Sequence, residues 1–496
     1  MVLSLLICLA FLIADRWLIL YQFGFKYVDD DQAIMWTGAA EMAKGRFHEP
    51  SFYGQRYNSM LEGLLAVPFL WAGVRPNVAL PLITSLLTLF PFILLAVLLV
   101  RERSFAQAAI VLAFPVTLSP EFGMVSSIPR GFVTGVFLAS FAVLPLFSRA
   151  PMVMFCAPFF AILALFANPN AALLLFPAGL LIIWKNRNDR RMYPLAAAGA
   201  LPAAILYYLG RRFYDVRPNY IAHPDLDLSF DPSNFHWADL QFLDDLSPVF
   251  WGKGFLVPVI ILLLIGWLVR KDQLSVAIAL LAGLVLLVVS FGLNKVHHGT
   301  FNVFFPWSRM FLAIPFLLVL FISQAKMRDS GRVMWSMPIL AAGFFGYKAF
   351  VQQAAVDRQV DPRIDTKVEM ATVTVIEQHC MGIRRVAEEN NADLLVINWG
   401  RYKHLINYGC PCLVADFPTT IEPALDRRTW HMRDLATQVF PNVLLTGMDE
   451  LHFLQLPHPT PKVDRVGSAP LLFLVRNNKM ELRPLLDTLG LGMREI

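Results

Sequence analysis

Long apolar windows recur along the first 350 residues, near 2–21, 79–100, 104–118, 131–147, 151–167, 170–184, 192–210, 254–269, 274–293, 303–323 and 333–350. A helix needs about 20 mostly apolar residues to cross roughly 30 Å of hydrocarbon, because every backbone group there must be bonded within its own segment. The pattern therefore predicts an α-helical polytopic membrane protein with about eleven transmembrane helices. Several windows are short, and Pro91, Pro115, Pro158 and Pro177 blur their ends. Residues 61–74 are also apolar but too short to cross, with Pro68 inside, and read as an interfacial segment. The first window reads as an anchor, since it lacks the basic leading region and small-residue cleavage site of a signal peptide.

Beyond residue 350 the pattern changes. Helix-like stretches (367–391, 432–440, 479–489) alternate with short apolar runs at 393–398, 412–417, 442–447 and 470–475. That alternation predicts a small α/β domain over 351–496, following a transmembrane domain over 1–350. No GxGxxG or Walker sequence accompanies it.

Charge sets the orientation. One set of alternate short loops carries Arg101, Arg103, Arg149, Lys185, Arg187, Arg190, Arg191, Arg270, Lys271, Lys326, Arg328 and Arg332, whereas the opposite short loops carry only Arg130 and Lys295. Cytoplasmic loops retain Lys and Arg, so the first set, and the N-terminus with it, is expected inside. The loop 22–78, the loop 211–253 and the C-terminal domain are then extracytoplasmic.

Composition narrows the functional classes. Only 16% of the 496 residues are charged and 56% are hydrophobic, with a net charge of +5 and a mean hydropathy of +0.54. These values exclude a disordered chain or an ordinary soluble enzyme, and a nucleic-acid partner is not expected. Among the cysteines, Cys380, Cys410 and Cys412 fall in the polar C-terminal part without zinc-site spacing. In an extracytoplasmic domain Cys380 can bridge either Cys410 or Cys412.

Candidate chemistry gathers in the first outer loop. Asp29-Asp30-Asp31 follows the first span directly. Three adjacent carboxylates at a membrane boundary repel each other and are partly desolvated, which raises the pKa of at least one and suits a base. One Asp also suits an N-cap for the QAIMWTGAAEMAK helix, which leaves the other two without a structural reason. Further on, Tyr53, Gln55, Tyr57 and Glu62 supply the rings, amide and acid from which a sugar site is made. Cations at the outer ends of spans are Arg130, Lys295, His298 and Arg309. Arg309 stands inside an apolar run, where an arginine is costly unless it has a task, and a guanidinium grips phosphate through two parallel hydrogen bonds. Asp15 and Arg16 within the first span are expected to neutralise each other or their neighbours.

An acidic pair at the outer end of the first span, a short helix ending in glycine (Asp30-Asp31 to Gly45), an aromatic segment with Tyr57, then Leu61-Glu62 and Pro68, resembles the multi-spanning GT-C glycosyltransferases. The resemblance is to the branch of protein O-mannosyltransferases, the aminoarabinose transferase and lipopolysaccharide-core transferases. It covers the first 100 residues well and the remaining spans loosely. It implies a GT-C-like fold in the bacterial inner membrane and transfer of a single sugar from a polyprenyl-phosphate donor to a glycan, lipid or protein acceptor at the outer face. Asp30 stands fifteen residues before Gly45 and takes the position of the family's catalytic acid, with Asp31 second. Arg309, Arg130, Lys295 and His298 would then hold the donor phosphate. The family's Pro-Pro-Leu segment is replaced here by Leu64-Leu65-Ala66-Val67-Pro68, which puts acceptor handling in question. No cofactor is expected; Asp29 and Asp31 are spaced like a divalent-metal motif, but the monosaccharide branch generally works without one. The alternative is a transporter or flippase of a lipid-linked sugar. It would share the cations but place ionisable residues and broken helices near the bilayer midplane, often in repeated halves, whereas here they cluster at one boundary.

Overall fold

The structure is a computed structural model that describes residues 1–222, 227–237, 246–297, 310–325, 327, 330–361, 370–449, 461–468, 470–477 and 479–494. The apolar windows become helices α1 (Val2–Ile19), α4 (Pro76–Arg101), α5 (Phe105–Thr117), α7 (Thr134–Ala142), α8 (Pro151–Ala167), α9 (Ala172–Asn186), α10 (Met192–Val216), α11 (Leu256–Arg270), α12 (Leu274–Ser290), α13 (Ile314–Ser323) and α14 (Gly331–Val360). Among the described residues, three stretches are long and apolar enough to cross a membrane: Val2–Gly24, Pro76–Arg101 and Met192–Val216. The other apolar helices, such as Phe105–Thr117 and Leu256–Arg270, are shorter. Pro81, Pro91, Pro158 and Pro177 lie inside helices, where neighbouring helices can satisfy the backbone groups that proline frees.

Hydrogen bonds gather the helix ends into two groups. At one end the Gln107 amide donates to the carbonyls of Ile322 and Ala325, Lys185 bonds Gln324, and the Gln273 amide reaches the Gln324 carbonyl. These are the ends bearing the basic loops. At the other, Asn294 bonds Asp227, the amide of Asp231 donates to the carbonyl of Gly292, and Trp251 donates to the carbonyl of Thr117. Inside the helical layer, Asp15 pairs with Lys348 of α14 at 3.0 Å, while Arg16 donates to Ser126 Oγ at 3.0 Å. Asp15 is thus paired with an opposite charge from another helix, and Arg16 with neutral acceptors at the end of α6 (Pro120–Val125), so neither ionisable group is left bare.

The loop after α1 starts with β1 (Tyr27–Asp29), followed by α2 (Asp30–Ala43) and α3 (Leu61–Trp71). Eleven residues of α3 reach about 16 Å, half a bilayer's hydrocarbon. It buries Glu62, Gly63, Ala66 and Val67 and leaves Leu64, Leu65 and Trp71 exposed. The indole of Trp71 bonds the carbonyl of Ala43 and so ties α3 to the end of α2.

The C-terminal part contains β2 (Met370–Thr372), α15 (Val373–Asn390), β3 (Leu394–Ile397), α16 (Cys410–Leu413), β4 (Thr419–Ile421), α17 (Thr429–Ala436), β5 (Asn442–Thr446), β6 (Lys462–Ser468), β7 (Leu471–Arg476) and α18 (Leu482–Thr488). Its sheet has the order β4-β3-β5-β7-β6, with β3 parallel to β4 and β5 and β7 antiparallel to β5 and β6. Alternate residues of its central strands enter two different cores. Leu395, Ile397, Leu444 and Leu474 pack with Ile376 and Ile383 of α15, while Val396, Leu445 and Val475 pack with Leu435 and Leu485 on the opposite face. Burial on both faces is why these strands read as continuous apolar runs.

This domain is joined to the first outer loop. β1 pairs antiparallel with β2, Val28 opposite Ala371, and Val28 and Trp36 share the hydrophobic core of α15. Arg75 and Glu377 add an ion pair at 3.0 Å. A disulfide joins Cys380 to Cys410, and Cys412 remains a thiol.

Candidate active site at the start of α2

Of the three consecutive acids, Asp29 is the cap. Its Oδ1 accepts the Gln32 amide at 3.0 Å and the Nε of Arg130 at 3.1 Å, and both side chains of the ion pair are buried. Arg130 sits on the turn leading to Gly131, whose φ of +76° and whose contact with the Ser59 carbonyl leave no room for a Cβ. The Gly131 amide donates to Glu62 at 2.7 Å. One lattice therefore locks α2, α3 and this turn together.

That lattice corrects two sequence expectations. Arg130 faces Asp29 inside the protein instead of a lipid phosphate, because Asp29 would otherwise be buried uncompensated. Glu62 is buried, not offered to a sugar, and burial pushes it up to about 8 against the pull of the Gly131 amide. Tyr53 is likewise enclosed, packed against the edges of His48 and Trp430. Gln55 and Tyr57 are half-buried. Lys295 lies 4.9 Å from the Tyr57 ring centre, so the loop after α12 does reach the first outer loop. His298 and Arg309 lie outside the described residues.

Asp30 and Asp31 occupy the first turn of α2 and remain partly exposed. Opposite them stands a shelf from the C-terminal domain. Arg427 donates to Asp31 at 2.9 Å. Lys403 and His404 hold the two oxygens of Glu422, each at 2.7 Å. Burial favours the neutral imidazole of His404, but its bond to Glu422 and the charge of Asp30 outweigh that and raise its pKa. The shelf is anchored beneath. The Tyr408 carbonyl accepts from Thr37 of α2 at 2.9 Å, and the Tyr408 hydroxyl accepts the Arg427 amide. Arg428 donates to Asn407 at 2.7 Å and pairs with Asp426. Burial alone would raise Asp426, yet Arg428 holds it down at about 2.

Sequence reasoning missed Lys403, His404, Glu422 and Arg427. Only the dense charge of DRR at 426–428 and KH at 403–404 hinted at them. The arrangement joins two partly exposed carboxylates to cationic groups at a helix start, a place where a proton can be taken and negative charge stabilised. Among the described residues, no three His, Cys, Asp or Glu side chains converge as a metal site.

No family model matches the chain, and no curated protein matches it by sequence. Among solved structures, the chain is similar to ArnT from Cupriavidus metallidurans bound to undecaprenyl phosphate, with a TM-score of 0.58 and 10% identity over 94% of this chain and 97% of that one. The likeness spans both the helical layer and the C-terminal domain. The chain shares the GT-C fold of that protein, and its apolar helices suit a membrane.

Proposed function

We propose that the chain is a glycosyltransferase of the inner membrane that moves one sugar from a polyprenyl-phosphate donor to an acceptor hydroxyl at the outer face. The observation that carries this reading is the fold likeness to a protein solved with undecaprenyl phosphate, combined with two partly exposed acids at the start of α2. The basic loops face the cytoplasm, as does the N-terminus, and the C-terminal domain is extracytoplasmic.

In the reaction, Asp30 takes the proton of the acceptor hydroxyl while its oxygen attacks the anomeric carbon. The carbon–oxygen bond to the lipid phosphate breaks, and its electron pair leaves with the polyprenyl phosphate. One direct displacement inverts the anomeric centre. Asp31 is held by Arg427 and keeps the helix start oriented. Lys295, together with Arg309 and His298, receives the phosphate charge. General-base assistance of this kind is worth about 10²–10⁴-fold.

The test is transfer from a radiolabelled polyprenyl-phosphate sugar by the purified chain. Asp30→Asn is expected to lower turnover by at least about 100-fold with normal insertion and thermal stability. Near-normal turnover in that variant removes Asp30 from the mechanism.

A further inference from the structure

A second built cavity lies at the far end of α2. It measures about 460 Å³ and is walled by Met42, Phe47, Met60, Leu64 and Phe213, with His48, Glu49 and Ser59 as its polar groups. That volume falls in the range of small-ligand sites, about 300–1,000 Å³. Met42 is twelve residues along the helix from Asp30, about 18 Å. This wall of the cavity therefore lies at the opposite end of α2 from Asp30.

Its polar wall is unusual. Glu49 is 8% exposed, and one carboxyl oxygen receives the Tyr214 hydroxyl at 3.3 Å and the Gly54 amide at 3.4 Å. The other oxygen has no hydrogen-bond partner among the described residues. Burial holds Glu49 well above the usual carboxylate range, and its unfilled oxygen is the group left to bond a ligand. His48 is fixed beside it, stacked on Trp430 and bonded to Glu41 at 3.2 Å. The rim is apolar and exposed: Phe47 is 65% accessible and Leu64, on the interfacial face of α3, 43%.

These features select a ligand class. Apolar walls opening where α3 lies along the bilayer suit a hydrocarbon chain. A carboxyl with one unfilled oxygen and an imidazole suit hydroxyl groups, and aromatic walls suit a sugar ring. A cationic headgroup is disfavoured, because the guanidinium of Arg217 already covers Phe213. A phosphate finds no available cation on the wall, since Lys44 and Arg46 are engaged with Glu41.

We propose that this cavity is an accessory binding site for a membrane amphiphile with an uncharged, hydroxylated headgroup, whose hydroxyls bond to Glu49 and His48 while its chain lies against Phe47, Met60 and Leu64. The proposal rests on the membrane setting of the proposed function and not on sugar transfer itself.

The experiment uses the full chain in nanodiscs and an octyl glucoside carrying a diazirine in its alkyl chain. After irradiation, label is expected on peptides spanning 42–64 and on the peptide with Phe213, protected by excess octyl glucoside but not by equal glucose or octanol. Leu64→Trp, which plugs the mouth from an exposed position, should abolish labelling. Glu49→Gln should retain affinity, whereas Glu49→Leu should lose at least tenfold. Asp30→Asn should label as the wild type does, so a failed transfer reading leaves this pattern intact. Label elsewhere, equal protection by octanol, better protection by octylamine, or unchanged labelling of Leu64→Trp each overturns the site.

Discussion

Arg130→Met separates the structural reading of Arg130 from the phosphate-binding one. The substitution keeps the length and apolar bulk of the side chain but leaves Asp29 buried with its charge uncompensated. Both members of the pair are almost fully enclosed, at 1% and 0% side-chain exposure. Breaking such a pair from one side costs about 3–5 kcal/mol, because the remaining charge keeps its desolvation penalty. In a chain of 496 residues this corresponds to a fall in Tm of about 3–5 °C. Asp29→Asn combined with Arg130→Met removes both charges, and Asn caps a helix about as well as Asp. The double variant should therefore recover most of the loss, giving a coupling energy that unrelated sites would not show. The assay is thermal unfolding of detergent-purified single and double variants, followed by intrinsic fluorescence. If Arg130→Met keeps the wild-type Tm and loses transfer alone, the structural assignment is refuted and Arg130 belongs to the donor phosphate.

Four further outcomes are expected. His404 has a raised folded pKa, so its contribution to docking the C-terminal domain is full below about pH 6.5 and is lost as pH rises through the raised value; the Tm-against-pH curve should show this limb, and His404→Gln should lack it. Removing the Cys380–Cys410 bridge, which closes 30 residues, should cost about 3–4 kcal/mol, with Cys380→Ser lowering Tm and Cys412→Ser leaving it near wild type. Gly131→Ala forces a Cβ to within 2.7 Å of the Ser59 carbonyl at positive φ and should lower Tm by more than an ordinary Gly→Ala change, whose backbone effect is about 1 kcal/mol. Arg427→Gln should weaken acceptor-dependent turnover less than Asp30→Asn does, because it loosens Asp31 and leaves the base in place.

The helical part was the most legible in sequence, since an unbroken apolar run is a one-dimensional signal. That α3 forms as a short apolar helix was readable for the same reason. The role of Asp29 was half-readable, because an N-cap is local, but its partner Arg130 stands 101 residues away. That the shelf faces Asp30 was not readable. Asp31 meets Arg427 across 396 residues, and only the pairing of β1 with β2 and the packing of α2 on the Tyr408 segment bring them together. The disulfide was open between Cys410 and Cys412 because the two differ by rotation, about 200° apart on a helical turn, and only the docked position of α15 selects Cys410. The sugar-site expectation for Tyr53 and Glu62 failed through burial, a property that residue type alone does not carry.

The most direct measurement is single-turnover transfer in oriented proteoliposomes, with the radiolabelled polyprenyl-phosphate donor in one leaflet at a time. The account predicts that donor in the leaflet facing the C-terminal domain is consumed, releasing one polyprenyl phosphate for each sugar transferred, and that Asp30→Asn leaves this donor untouched. Consumption of donor from the opposite leaflet, or an Asp30→Asn protein that turns over at the wild-type rate, contradicts it.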